Sequence, residues 1–218
     1  IVLSLILSLN MAVTSITARR KGQNDPEGAV RCLKQALILS LGLSVVVAAI
    51  AFSGRTPLLL FAGALDDTIG MARTYFEIIL IGTPLNALTM TISSAQRGIG
   101  GTRVSMVINM TSNCVNLLFN YLLIGGKFGF PAWGIKGAAI ATVFGTFVAC
   151  CMSLASILRK DNFVSIPYMI ARKVRPALSG FKTMVRIALN IFVEQILLRI
   201  GFMAVALMAA DQGTDALA

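Results

Sequence analysis

Four asparagines recur at helical spacing inside an otherwise apolar run, residues 103–125. At 3.6 residues per turn their side chains fall within a sector of about 60° and extend over about 16 Å of helix axis. A membrane helix with such an amide stripe needs another helix or a watery cavity to face. Two interpretations are open: hydrogen bonding between helices, or lining a cavity that takes a cation or a substrate. The four residues are Asn109, Asn113, Asn116 and Asn120.

A carboxylate, Glu194, lies well inside the last apolar segment. An ionisable group at membrane depth is costly and marks an ion or substrate pathway by default, so Glu194 is the first candidate among the charged residues. Asn190 lies one turn earlier on the same face, and Arg199 forms an i, i+4 pair with Gln195. The alternative is that Glu194 and Arg199 pack between helices and are neutralised there. Glu77 lies near the end of its helix, where pairing with a loop is favoured over a site.

The composition is that of a membrane protein. Of the 218 residues, 56% are hydrophobic and 13% are charged, and the mean hydropathy is +0.82. Soluble domains average about 25% charged residues, so we expect a polytopic membrane protein. The net charge of +10 does not indicate nucleic-acid binding, because the basic residues form short clusters between apolar runs, with almost no aromatic residues beside them.

The residues that several kinds of chemistry require are missing. The sequence has no histidine and its four cysteines lack CxxC spacing, so it predicts no zinc or haem site, and the cysteines are expected to be buried small hydrophobes. There is no serine-hydrolase elbow, and the glycines between Arg97 and Arg103 are not followed by the Gly-Lys-Ser/Thr of a phosphate loop. The sequence therefore does not predict an enzyme.

Apolar runs separated by polar turns predict six spanning helices. Asp25 followed by Pro26 marks the start of the second, and Pro84 should kink the third. We interpret residues 54–70 as a polar-to-mixed connection. A tight turn is expected at 97–103, and a basic linker, partly a helix on the membrane surface, at 159–183. The predicted spans are 1–18, 29–53, 71–96, 103–125, 134–158 and a sixth that begins near 184.

Lysine and arginine predict the orientation of these helices. The loops after the first, third and fifth spans, with their flanks, hold fourteen of these residues, whereas the alternate loops hold four. Because cytoplasmic loops carry an excess of lysine and arginine, the first set is placed in the cytoplasm. The four residues of the alternate loops are Arg55, Arg73, Lys127 and Lys136.

Several segments resemble the multidrug and toxic compound extrusion (MATE) transporters. They are AVTSITARRKGQNDPEGA (12–29), SSAQRGIGGTR (93–103), NCVNLLFNYLLIGGKFGFPAWGIKGAAIAT (113–142) and, more loosely, IALNIFVEQILLRIGF (187–202). The resemblance implies an all-α polytopic protein of the bacterial cytoplasmic membrane, a MATE-type bundle of twelve helices in two lobes that rock between outward- and inward-open states.

On that template the chain corresponds to family helices 2 to 7. Residues 1–158 would be the amino-terminal lobe without its first helix, 159–183 a cytoplasmic linker between the lobes, and 184–218 the start of the carboxy-terminal lobe. The chain begins at Ile1 inside an apolar run and ends at Ala218 without a stop pattern. We therefore expect it to be an internal part of a longer protein.

The resemblance also implies site residues. Asn116 matches an asparagine of the amino-lobe cation site, Asn120 stands where archaeal-type members place an aspartate, and Thr142 resembles a polar contributor from the sixth family helix. An asparagine carbonyl can ligate sodium but cannot bind a proton near neutral pH, so sodium at Asn116 and Asn120 is favoured. Glu194 resembles the seventh-helix glutamate of bacterial members, with Asn190 where a proline often stands, which predicts a straighter helix. The secondary candidates are Arg199, Glu77 and Asn113.

The function that the resemblance implies is secondary antiport: export of an organic, cationic drug or toxic compound in exchange for sodium or protons, without a covalent step. The expected partners are a small organic substrate, the coupling cation and the lipid bilayer. No nucleic acid is expected, and no cofactor beyond the coupling ion. Two alternatives remain: a flippase for lipid-linked oligosaccharide precursors of the same superfamily, and a non-transporting membrane scaffold.

Overall fold

The computed structural model describes residues 2–61, 69–127, 132–159, 163–167 and 178–211. This part of the chain is built of helices and contains no strand, which confirms the predicted all-α class. The helices are α1 (Val2–Gly22), α2 (Pro26–Ser53), α3 (Arg55–Phe61), α4 (Ile69–Gly98), α5 (Thr102–Gly125), α6 (Ile135–Leu158) and α7 (Leu178–Asp211).

Five stretches of the described chain are long and apolar enough to cross a membrane: α2, α4, α5, α6 and, within α7, Gly180–Val205. They have 24 to 30 residues each, and about 20 apolar residues suffice for a bilayer core of about 30 Å. The first predicted span, α1, has 21 residues, and the side chains of its residues 2–5 lie outside the described part of the chain. It contains Asn10, Thr14 and Thr17, and its last turn holds Arg19, Arg20 and Lys21.

The start of α2 follows the predicted capping signal. Asp25 Oδ1 accepts a hydrogen bond from Gly28 N at 2.8 Å, and Pro26 is the first residue of the helix. This satisfies one of the amide groups that a helix leaves unbonded at its start. Arg20 of α1 pairs with the same carboxylate, Nη1 to Oδ2, at 3.0 Å. Asp25 therefore fixes the turn between α1 and α2 from both sides.

The predicted tight turn joins α4 to α5. Gly100 has a φ of +83°, which a residue without a side chain adopts at little cost. Gly101 N donates to Gln96 O at 2.7 Å, which closes the end of α4. Helix α4 itself continues through Pro84 to Gly98.

The structure corrects two predictions about the connections. The stretch 54–70 contains the short helix α3, because its sequence RTPLLLF is mostly apolar and packs on α4. The last helix begins at Leu178, earlier than the predicted residue 184. Most of the linker predicted at 159–183 lies outside the described residues. Its described part, 163–167, buries Val164 and Ser165 within the bundle.

Helix α4 lies at the centre of the bundle, packed against α1, α2, α3, α5 and α6. Its buried face is rich in small polar side chains that find backbone acceptors. Thr91 Oγ1 donates to Ala87 O at 2.8 Å within the helix. Across helices, Thr14 Oγ1 of α1 donates to Ser94 O at 3.1 Å. Such residues let membrane helices approach closely and bond to one another.

The outer surface of the bundle is apolar, as expected of helices that face lipid. Ile81, Leu117 and Phe202 are 73%, 71% and 74% exposed. Two of the four cysteines, Cys32 and Cys150, are buried as predicted. The prediction is wrong for the other two, Cys114 and Cys151, which are exposed. A thiol behaves as a small hydrophobe, so an outward position on an apolar surface suits it equally well.

Candidate cation site

Helices α5 and α6 approach so closely that two glycines are required between them. A Cβ atom placed on Gly137 would lie 2.6 Å from Leu123 O, and one on Gly145 would lie 3.0 Å from Ser112 O. Ser112 Oγ donates to Gly145 O at 2.9 Å and so bonds the two helices directly. This close approach brings the Asn116 part of the amide stripe of α5 against α6.

Asn116, Asn120 and Thr142 form one hydrogen-bonded chain across this interface. Asn120 Nδ2 donates to Asn116 Oδ1 at 2.9 Å, and Asn116 Nδ2 donates to Thr142 Oγ1 at 3.1 Å. Thr142 Oγ1 in turn donates to Ala138 O at 2.9 Å, one turn earlier in α6. The structure thus brings together the three residues that the resemblance assigns to the amino-lobe cation site.

The hydrogen-bonded chain ends in an unused acceptor. Asn120 Oδ1 is buried and has no hydrogen-bond partner among the described residues. Leaving a buried acceptor unsatisfied costs about 1–3 kcal/mol. Amide and hydroxyl oxygens each have two lone pairs, so after the bonds above Asn116 Oδ1 and Thr142 Oγ1 each retain one and Asn120 Oδ1 retains both. Three oxygens with unused lone pairs suit a hard cation that takes oxygen ligands.

The rest of the amide stripe does not belong to this chain. Asn109 and Asn113 are exposed on α5, whereas Asn116 and Asn120 are partly buried against α6. The geometry therefore divides the stripe into an outward-facing half and a half that contacts α6. Asn113 remains a secondary candidate with no partner among the hydrogen bonds described for α5.

Glu194 and Asn190 lie together on α7, away from the amide chain. Both are exposed, and they line a groove of about 650 Å³ with Val193, Leu197 and Phe202 of the same helix. In the described chain, α7 packs on α1 and α2 and makes no contact with α5 or α6. Arg199 is exposed too and is not part of the groove lining. The main candidates from the sequence therefore lie in two separate places, the α5–α6 interface and the groove on α7.

Glu77 is engaged in ion pairs at the end of α4 remote from the basic loops. Its Oε1 lies 3.0 Å from Arg55 Nε of α3 and 3.1 Å from Arg73 Nε, one turn earlier in α4. Arg55 also stacks on Phe52, with its guanidinium carbon 4.5 Å from the ring centre. These contacts tie α3 to α4, and both partners of Glu77 lie in helices.

Sequence reasoning did not single out Asn10. This side chain is 5% exposed in α1, its Nδ2 donates to Ile6 O at 2.9 Å, and its Oδ1 has no partner among the described residues. The signal was a lone amide inside the apolar run 1–18. Ser112 was missed as well, because a serine in an apolar helix carries no sign of which neighbour it will bond.

Known proteins share this architecture. A family model described as MatE matches residues 1–122, more than half of the chain. The chain belongs to the MatE family. A probable multidrug resistance protein NorM of Bacillus cereus is 32% identical over 213 residues, which are 95% of this chain and 46% of the relative. The DNA damage-inducible protein F of Escherichia coli is 24% identical over 219 residues, 98% of this chain and 45% of that protein.

Solved MATE structures confirm the predicted fold. A crystal structure of MATE in the bent conformation has a TM-score of 0.82 and 25% identity, covering 95% of this chain and 46% of that one. An inward-facing MATE transporter of the MOP superfamily has a TM-score of 0.78 and 24% identity, covering 89% and 43%. The chain spans about half the length of the curated relatives it matches. The five apolar helices found among its described residues and its bacterial MatE relatives make it a multi-pass protein of the cytoplasmic membrane.

Proposed function

We propose that this protein is a secondary active antiporter that exports organic, cationic compounds in exchange for sodium, with protons as the alternative coupling ion. The observation that carries the proposal is the partly buried Asn120–Asn116–Thr142 chain and its unused acceptor oxygen. The family supports the proposal as well, since relatives of this MatE chain are named probable multidrug resistance proteins.

In the proposed cycle the amide chain holds the coupling cation. Asn120 Oδ1 turns to the ion, Asn116 Oδ1 contributes its second lone pair, and Thr142 Oγ1 contributes the lone pair that its present bonds leave unused. No hydrogen bond between these residues has to break, because each oxygen can accept one bond and ligate one ion. Binding would draw α5 and α6 together at their closest approach, and release would relax them.

Sodium is favoured at this site because of its residue types. An amide does not bind a proton near neutral pH, so a proton carrier would need a carboxylate where Asn120 stands. The site as described consists of neutral oxygens alone. A proton-coupled cycle would have to use another group, and Glu194 is the carboxylate that lies within a spanning helix and outside the described ion pairs.

We assign the organic substrate to the groove on α7. Glu194 supplies a negative charge beside a wall of Val193, Leu197 and Phe202. A carboxylate next to apolar and aromatic side chains suits an amphipathic cation, which can pair with the charge and stack on the ring. Asn190, one turn from Glu194, adds a hydrogen-bonding group to the same groove.

Efflux of a fluorescent organic cation from cells that express the whole protein tests the proposal. The sodium and proton gradients are collapsed separately, with an ionophore specific for each ion. Collapse of the sodium gradient should stop efflux, and collapse of the proton gradient should leave it largely intact. Efflux that survives both treatments would refute antiport. Flipping of a lipid-linked oligosaccharide without any export of the dye would favour the flippase.

A further inference from the structure

Three loops that the charge count places in the cytoplasm converge on one cavity of about 850 Å³. Lys21 at the end of α1, Arg103 at the start of α5 and Arg159 just after α6 all line it. Each comes from a different connection. Lys21 Nζ also donates a hydrogen bond to Ile99 O of the α4–α5 turn, 78 positions away in the sequence. The cavity is distinct from the amide chain and from the groove on α7.

The part of the cavity lining that the structure describes is electropositive. It contains these three cations and no carboxylate. Lys21 keeps two of its three ammonium donors after the bond to Ile99 O, and neither Arg103 nor Arg159 is among the ion pairs described for this chain. Gln96, nearly fully buried, donates to Ser156 Oγ at 3.2 Å and forms the floor. Like charges that lie close together repel one another. A bound anion would offset the repulsion among these three cations.

We propose that this cavity binds the phosphate headgroup of an anionic phospholipid from the cytoplasmic leaflet. Basic pockets between membrane helices on the cytoplasmic side recognise such headgroups. A lipid is favoured over a free phosphate because the cavity also has an apolar wall, formed by Val104, Val107, Ile108 and Met152 of α5 and α6. The cations would hold the phosphate while an acyl chain follows that wall into the bilayer.

Lipid retention by the purified whole protein, measured by native mass spectrometry, tests this directly. The protein is titrated with phosphatidylglycerol and, separately, with phosphatidylcholine. We expect tight retention of the anionic lipid alone. The triple variant Lys21→Gln, Arg103→Gln, Arg159→Gln should weaken that retention about fivefold per cation, about a hundredfold in total.

Two controls make the result specific. The triple variant Arg19→Gln, Lys182→Gln, Arg186→Gln removes three exposed cations from the same side of the membrane that do not line the cavity, and it should retain the lipid as the wild type does. The charge-conserving pair Arg103→Lys and Arg159→Lys should also keep most of the binding, which separates lost charge from failed folding.

Several outcomes would overturn the proposal. Equal loss in both triple variants would mean that the lipid responds to overall charge and not to this cavity. Undiminished retention in the cavity variant would mean that the lipid binds elsewhere on the protein. Displacement of the lipid by millimolar inorganic phosphate would identify a free anion as the ligand. The assay measures binding alone, so its failure is independent of whether the protein exports organic cations.

Discussion

The hydrogen bond between Asn116 and Thr142 offers a quantitative test of the α5–α6 site. Replacing Asn116 by leucine keeps the approximate size of the side chain but removes two bonds, of 2.9 and 3.1 Å, and leaves Asn120 Nδ2 without an acceptor. Hydrogen bonds between membrane helices are worth about 0.6 kcal/mol on average and up to about 1.7. The variant should therefore lose about 1–3 kcal/mol of unfolding free energy.

A double-mutant cycle isolates the bond itself. Thr142→Val has nearly the same shape and removes the hydroxyl that accepts from Asn116. Measured by reversible unfolding in mixed micelles, the cycle of Asn116→Leu with Thr142→Val should give a coupling energy of about 0.6–1.7 kcal/mol. The matched cycle of Asn109→Leu with Thr142→Val should give no coupling beyond about 0.3–0.5 kcal/mol, because Asn109 is exposed and shares no partner with Thr142. Equal coupling in the two cycles would refute the described interface.

Three further predictions address the transport residues and the packing. Glu194→Gln should reduce export of an organic cation while membrane insertion, checked by cysteine accessibility, stays normal; wild-type export would return Glu194 to a packing role. Asn120→Asp supplies a group that binds protons, so the variant should show efflux driven by a proton gradient in sodium-free medium. Absence of that efflux would contradict the assignment of Asn120 to the cation site. Gly98→Ala should lower the stability of the protein by about 1–3 kcal/mol in a thermal unfolding assay, since its new methyl group would overlap Thr17 Oγ1 and lie 2.6 Å from Thr14 O. The control is Gly42→Ala, whose methyl group would meet nothing within 4 Å and which should be neutral or stabilising.

Local signals in the sequence predicted much of the fold. Asp25 and Pro26 predicted the start of α2 because a cap depends only on neighbouring residues, and the glycines at 100 and 101 predicted the turn before α5 for the same reason. Helix α3 was not predicted. Its seven residues are too few for a periodicity to stand out, and it is held by packing on α4 and by the Arg55–Glu77 pair, which no local pattern shows.

The site was only partly predictable. Periodicity places Asn116 and Asn120 one turn apart, so their mutual hydrogen bond follows from helix geometry. Thr142 was a candidate only because of the family resemblance. Its contact with Asn116 could not be predicted from spacing, because it depends on how closely α6 approaches α5 at Gly137 and Gly145. The exposure of Asn109 and Asn113 also depends on where α6 lies. Periodicity predicts which residues share a face of a helix, but not which other helix packs against that face.

Sodium-driven transport in proteoliposomes tests whether the α5–α6 amides couple sodium entry to export. The whole protein is reconstituted with a sodium gradient as the sole driving force, and uptake of an organic cation against its own gradient is followed in the wild type, in Asn120→Leu and in the control Asn109→Leu. We expect accumulation by the wild type and by Asn109→Leu, and loss of accumulation in Asn120→Leu. Accumulation by Asn120→Leu equal to that of the wild type would contradict a coupling site at the α5–α6 amides.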